Sequence, residues 1–207
     1  YTHDASALFA FPVKSAEHKH WPQGAADLAR ALDFRHFAIF DSAGVLQKSL
    51  YPTEEDEAIL PMGGIKALEP LIAEGGRHFS DVMGDAEERP TIYIVETLND
   101  GDIAVGAMSI NYIAKLQQQI TFGKRGHAAI VDRSGNIIAH PNPEWSATMK
   151  NISAVKPVTH MMAGESGVSE FYSPAVKMDM ITGFTTVPGV GWGVMVPQPL
   201  EELKDKA

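Results

Sequence analysis

Cysteine is absent from all 207 residues, which removes disulfide frameworks, thiolate metal sites and cysteine nucleophiles together. Long apolar runs are missing as well. Stretches such as Gly189–Val196 and His127–Val131 fall far short of the roughly 18 residues a membrane span requires. Positive charge is scarce, with 17 Lys and Arg against 26 Asp and Glu. The resulting net charge of −9 repels phosphate backbones and anionic lipid, so nucleic acid is an unfavourable partner. The chain also opens at Tyr1 with no signal-like segment, which reads as a fragment excised from something longer.

Familiar catalytic signatures fail residue by residue. Phe122-Gly123-Lys124-Arg125 lacks the hydroxyl after Lys and the upstream Gly of a phosphate loop, since position 118 is Gln118. Gly189-x-Gly191-x-Gly193 has Val194 where a dinucleotide fingerprint needs its last Gly; these glycines let the backbone turn around Trp192. Asp41 and Asp132 lack the alternating oxygen ligands of a calcium loop, and no Gly-x-Ser-x-Gly elbow occurs. Among the eight histidines, His18-x-His20 has no carboxylate partner set to suggest a metal site, and His140, before Pro141, reads as a structural residue closing a hairpin. No metal, cofactor or catalytic residue is expected. The acidic runs Glu54-Glu55-Asp56-Glu57 and Glu87-Glu88 read as solvated surface, and the methionines as core filling.

What is present is ordinary globular composition, 44% hydrophobic and 21% charged, in a 22.4 kDa chain long enough for one large domain or two small ones. An internal repeat favours two. Phe37-Ala38-Ile39-Phe40-Asp41-Ser42-Ala43-Gly44-Val45-Leu46 matches Ala128–Ile137, with Ile, Asp and Gly recurring at 130−39 = 132−41 = 135−44 = 91. Each copy predicts a β-hairpin in which Asp caps the turn's amides and Gly takes the positive φ. A second echo, Gly106-Ala107-Met108 with Gly193-Val194-Met195, recurs at 193−106 = 87. Further strands are expected at 77–82, 91–98 and 103–110, then at 167–173, 180–187 and 191–196. Helices are expected at 23–33 and 111–122, with the domain boundary after Phe122.

The second half carries a family resemblance. Gly126-His127-Ala128-Ala129-Ile130-Val131-Asp132 through Gly135 to His140-Pro141, then Met162-Ala163-Gly164-Glu165-Ser166-Gly167, then Val187-Pro188-Gly189-Val190-Gly191-Trp192-Gly193-Val194, resemble in order three segments of double Cache sensor domains. The resemblance runs from Leu28 to Leu203. It implies an α/β (α+β) fold of two tandem PAS-like domains, residues 1–122 distal from and 123–207 proximal to the membrane, each a mainly antiparallel sheet with flanking helices, joined through an N-terminal helix. It further implies a periplasmic ligand-sensing part of a receptor with flanking transmembrane helices and compatible with a homodimer. The receptor is expected to be a sensor histidine kinase, the alternatives being a chemotaxis transducer, a diguanylate cyclase or a structural module without ligand.

Alternation along the distal strands groups Arg77, Phe79 and Asp81 on one face, Thr91, Tyr93 and Val95 on another, and Gly106 with Met108. Arg77, Phe79, Asp81, Tyr93 and Met108 are therefore the expected ligand contacts, a guanidinium to grip a carboxylate and rings to bury the rest; the alternative is a surface pair and core aromatics. The amino-acid-sensing branch of the family carries Arg-x-Trp-Tyr in the distal helix and a carboxylate on the strand before the exit helix. Neither is found here: nothing between Tyr51 and Gly76 matches the first, and Met108 stands at the second. A carboxylic acid or neutral metabolite is accordingly expected in preference to an α-amino acid.

Overall fold

The computed structural model describes residues 25–50, 59–122 and 126–204 and divides into two compact units, Tyr1–Ile110 and Asn111–Ala207. The sequence boundary after Phe122 thus lies twelve residues beyond the division, 122−110 = 12. Helix α3 (Asn111–Gln118) belongs to the second unit, where the buried Gln117 amide donates to the Ala128 carbonyl at 2.8 Å. That helix stops earlier than its periodicity suggests. Gln119 and Ile120 donate three residues back, and Thr121–Phe122 (β7) pairs with Gly126–His127 (β8). His18 and His20, the acidic run 54–57 and the first two residues of the helix expected at 23–33 lie outside the described residues.

In the first unit α1 (Ala25–Ala31) leads into β1 (Phe34–Phe40) and β2 (Leu46–Leu50). A 3-10 turn (Gly64–Leu68) and α2 (Glu69–Glu74) follow, then β3 (Arg77–Phe79), β4 (Met83–Gly84), β5 (Pro90–Thr97) and β6 (Ile103–Ser109). All strand pairs are antiparallel, in the order β2-β1-β6-β5-β3, with β4 also on β5. One face carries the core of Ala38, Phe40, Tyr93, Val95, Ile103, Val105 and Ala107, over which Ile59 and Leu68 pack. On the other face Gly106 leaves room for the rings of Phe34 and Phe37, 4.4 Å apart; a Cβ there would lie 2.7 Å from Phe37.

The second unit repeats the plan. Strands β9 (Ala129–Val131), β10 (Ile137–Ala139), β11 (Gly167–Ser173), β12 (Met178–Thr186) and β13 (Gly193–Pro199) are ordered β10-β9-β13-β12-β11, strand for strand the order of the first sheet. Helices α4 (Pro143–Ala147) and α5 (Lys156–Met162) lie between β10 and β11, and α6 (Glu201–Lys204) ends the described chain. The core is Ala129, Val131, Ile137, Val158, Met161 and Met195.

The two hairpin turns form as their chemistry dictates. Asp41 Oδ1 accepts the amides of Ala43 and Val45, and Asp132 Oδ1 those of Ser134 and Asn136, all at 2.8–2.9 Å. Gly44 and Gly135 sit at φ of 81° and 80°. The second echo does not survive as a structural repeat. Ala38 opposes Val105 while its counterpart Ala129 opposes Met195, an offset of 195−105 = 90 and not 87. Three residues is an odd slip, so the two Gly-x-Met segments face opposite ways: Met195 joins its unit's core, whereas Met108, opposite Ile92, lies on the back of the first sheet.

Candidate functional site

The face of the first sheet under Ile59 and Leu68 is the place to look for chemistry, and its centre is Tyr93. Cross-strand register puts Tyr93 on β5 opposite Ala107 on β6, and Ala107 opposite His36 on β1. The small Ala107 thus separates a phenol from an imidazole. His36 is 1% exposed, bonds Ser49 Oγ at 2.7 Å through Nε2, and is pushed by burial to a pKa of about 4, so it is neutral at physiological pH. Tyr93 is fully buried, and among the described residues its hydroxyl has no hydrogen-bond partner. The nearby Thr91 hydroxyl donates instead to the Arg89 carbonyl. Burial foremost, then the Asp85 carboxylate, push the Tyr93 phenol up, against smaller opposing effects of Arg35, Arg89 and Thr91.

Beside it lies a charged cluster. Asp85, 1% exposed, accepts the amides of Glu87 and Arg89 through Oδ1, and through Oδ2 Arg35 Nη1 at 2.7 Å and Arg89 Nε at 2.8 Å. Ser80 fastens the segment before it, donating its amide to the Tyr93 carbonyl and accepting the Tyr93 amide on Oγ, both at 2.8 Å.

The five expected contacts do not converge. Arg77 opposes Glu96 and Phe79 opposes Ile94, which places both on the back of the sheet with Met108 and away from Tyr93. Arg77 is moreover committed to Glu96, with Nη2 and Nε at 2.9 and 3.0 Å. Asp81 follows β3, half-buried, its carbonyl accepting from Ser80 Oγ. Alternation grouped residues correctly within each strand, but a single-residue slip between strands inverts the face. His36, Ala107, Arg35 and Asp85 were missed. The signal for His36 was available, because 127−36 = 91 extends the hairpin repeat to His127.

The same place in the second unit is filled. Pro197 stands where Ala107 stands, and Thr182, opposite Pro197, where Tyr93 stands. The Thr182 hydroxyl donates to the Gly183 carbonyl at 2.8 Å. Above this row the His140 ring stacks on Trp145 at 4.6 Å and meets His127 edge-on at 5.8 Å, and Lys150 Nζ lies 3.8 Å from the Trp145 ring centre. A cavity of about 20 Å³ is left there, room for a water molecule. His140 Nδ1 accepts the Asn142 amide at 2.9 Å, a local bond just past β10 and not the hairpin closure expected of it, and burial lowers its pKa to about 4. A larger apolar cleft of about 380 Å³ lies on the unit's other face, between Ile120, Val168, Ile181 and Val196. Among the described residues no cluster of His, Asp and Glu is placed to hold a metal ion.

Comparison with known proteins follows from this doubled architecture. A family model of the dCache type, described as Cache domain, matches residues 15–207. The chain is a Cache domain. Such domains are extracytoplasmic sensor modules of membrane receptors, so this Cache domain senses and does not catalyse. Among the described residues no helix is long and apolar enough to cross a membrane. A comparison with curated proteins found no match.

Solved structures share the fold at low identity. The extracellular domain of one protein assigned as a histidine kinase aligns at TM-score 0.55 and 18% identity, over 66% of this chain but only 55% of its own length. Another aligns at TM-score 0.69 and 13% identity over 88% and 78%. The ligand-binding domain of the Pseudomonas aeruginosa amino acid chemoreceptor PctB, in complex with L-Arg, aligns at 0.61 and 21% over 93% and 78%. These likenesses overturn the expectation that amino acids are disfavoured: related domains were also solved with L-Gln, L-serine, GABA and asparagine. The physical reason is on the sheet. Met108 faces away from Tyr93, so the absence of a carboxylate at that position says nothing about a ligand on the Tyr93 face.

Proposed function

We propose that this Cache domain holds a small organic molecule on the Tyr93 face of its first unit and reports it to a histidine kinase. The observation that carries the reading is the contrast between the two copies of one row. In the second unit the row is capped by the His140–Trp145–Lys150 stack and its hydroxyl is satisfied; in the first it leaves a buried hydroxyl without a partner among the described residues. One copy then serves as scaffold and the other as receiver. On this reading the first unit is distal from the membrane, and binding shifts the receptor between two states by its differential affinity for them.

Amino acids are the first ligand class to try, because the aligned chemoreceptor domains hold them. The kinase output is favoured by the extracellular histidine kinase domains among the aligned structures, one of which reaches TM-score 0.69. A thermal-shift screen of the chain against amino acids, organic acids, amines, nucleobases and sugars tests the ligand. A compound at about 100 times its Kd stabilises by roughly 2.7 kcal/mol, a shift of several degrees. Silence across the panel would overturn the small-molecule reading. For the output, a hit should change autophosphorylation of the full receptor in membranes; a change in receptor methylation alone would favour a chemoreceptor.

A further inference from the structure

Resting on that reading of the first unit, we infer that residues 65–74 are a lid over the Tyr93 face, turning as one body on the glycine pairs Gly63-Gly64 and Gly75-Gly76 and held shut by His78. Tyr93 and Leu68 are fully buried and Ala107 is 1% exposed, with Leu68 packed over the sheet. A molecule reaches Tyr93 only if its cover moves. Three observations point to the segment that moves.

The first is what stands at its ends. Gly-Gly occurs twice in the sequence, at 63–64 and 75–76, and the two pairs flank residues 65–74, which are the rest of the 3-10 turn and all of α2. All four glycines have left-handed φ, at 93°, 71°, 65° and 75°. None of them is there to make room. Beyond its chain neighbours, a Cβ on Gly64, Gly75 or Gly76 would meet no atom within 4 Å, and one on Gly63 only the Ala67 Cβ at 3.9 Å. What glycine supplies is the left-handed conformation and an easy exit from it, twice in succession at each end. Where a single left-handed residue suffices, this chain also uses Asp33, Glu88, Met149 and Lys177.

The second is how the segment is attached. On either side the backbone is tied to strands: the Met62 amide donates to the Gly84 carbonyl at 3.2 Å, and the Thr97 amide to the Gly76 carbonyl at 2.9 Å. Between these ties, among the described residues, no backbone hydrogen bond joins residues 65–74 to a strand. Apolar side chains hold the segment instead. Ile65, Leu68, Leu71 and Ile72 pack against the Tyr93 core, while Lys66, Glu69, Pro70 and Glu74 are exposed. Such a segment can part from the sheet without breaking a strand pair.

The third is a latch. His78 on the edge strand β3 opposes Val95, and so lies on the Tyr93 face. Its Nε2 donates to the Gly75 carbonyl at 2.6 Å, and its Nδ1 stands 3.1 Å from Glu74 Oε2. One half-buried ring thus grips both the last residue of α2 and the first glycine of the second pair.

Because the chain has no cysteine, a thiol placed under the lid reports its opening. Ala107→Cys puts one beside Tyr93, and Ala129→Cys puts one in the core of the second unit, where Ala129 is fully buried. The whole chain is treated with methyl methanethiosulfonate, and modification is followed by mass spectrometry at urea concentrations below the unfolding transition. Opening a lid exposes little surface and global unfolding exposes much, so the two routes differ in their dependence on urea. The thiol at position 107 should react about a hundred-fold faster than that at 129, at a rate flat in urea, whereas the rate at 129 climbs. His78→Ala, added to Ala107→Cys, should raise the flat rate about five- to tenfold. Val95→Cys, on the same face, repeats the measurement should Ala107→Cys not fold.

A rate at position 107 that climbs with urea as steeply as that at 129 would overturn the lid, since the Tyr93 face would then open only by unfolding. A flat rate unmoved by His78→Ala would overturn the latch. The proposed function is tested apart from both. L-serine, L-glutamine or GABA, if it raises the melting temperature and suppresses the reaction at position 107, is bound beneath the lid. If it raises the melting temperature and leaves that reaction as fast as before, the ligand sits elsewhere, and the proposed function falls while the lid stands.

Discussion

The two units of this Cache domain share a strand order and a hairpin, yet they treat the same row of the sheet differently. In the second, proline and a satisfied threonine stand in the row, beside the half-buried His140 and Trp145 rings with the exposed Lys150 against the indole. In the first, alanine sits between a neutral histidine and a tyrosine whose hydroxyl has no partner among the described residues. Along this row one copy has its hydroxyl answered by the protein, and the other has one that no described residue answers. A fold tolerates such a gap only at modest cost, about 1–3 kcal/mol for a buried unpaired group, which is small enough to be kept for binding.

The largest effect that sharpens this comparison lies in the paired turns. Gly44 and Gly135 share a left-handed φ, but a Cβ on Gly135 would lie 2.8 Å from the Ser153 Cα, whereas one on Gly44 would meet only Ile65 Cγ2 at 3.5 Å. Gly135→Ala should therefore cost about 3 kcal/mol or more and Gly44→Ala about 1, measured by urea denaturation of the chain. Equal costs would mean that the turns are not held differently by their units.

Acid comes next. His36 in the first unit and His140 in the second both have folded-state pKa values lowered to about 4. The unfolded chain, titrating near 6.5, takes up protons first as pH falls, so stability is full above that value and drains away between about 6.5 and 4. At pH 5 each histidine should have cost the fold on the order of 1–2 kcal/mol. His36→Gln and His140→Gln should each flatten the pH dependence of the melting temperature; an unchanged slope in either would show that histidine to be charged in the fold.

Smaller effects are expected of the glycines on the central strands. Alanine at Gly106 must displace the rings of Phe37 and Phe34, 2.7 and 2.9 Å away, and alanine at Gly193 meets the Met161 thioether at 2.7 Å and the branched Val131 side chain at 2.9 Å. Gly106→Ala and Gly193→Ala should each cost about 1–3 kcal/mol, again by denaturation. The smallest prediction concerns a third turn of the same design. Asp85 takes the amides two and four residues on, as Asp41 and Asp132 do, but Glu88 holds the positive φ, 63°, where the hairpins have glycine. Glu88→Gly should leave stability unchanged or raise it by up to about 1 kcal/mol.

What could be read from the sequence follows from the range of each interaction. The hairpins were legible because Asp-x-x-Gly encodes the turn within four residues, and the tandem architecture because two such turns recur 91 residues apart. Strand faces were legible one strand at a time. Register between strands was not, since it depends on bulges such as the one between Phe34 and His36, and so Arg77, Phe79 and Met108 were grouped with a tyrosine they turn their backs on. Asp85 escaped notice because its turn lacks the glycine that marks the other two. The 87-residue echo was the misleading signal, a likeness of letters that the sheet sets three residues out of step.

Hydrogen exchange of the whole chain, with and without the first compound to register in the thermal screen, tests the central claim most directly. The account predicts added protection over Thr91–Thr97 and Ile103–Ser109, with the segment His127–Lys150 unchanged apart from the general gain in stability. Protection centred on His127, His140 and Trp145, with the first sheet untouched, would contradict it.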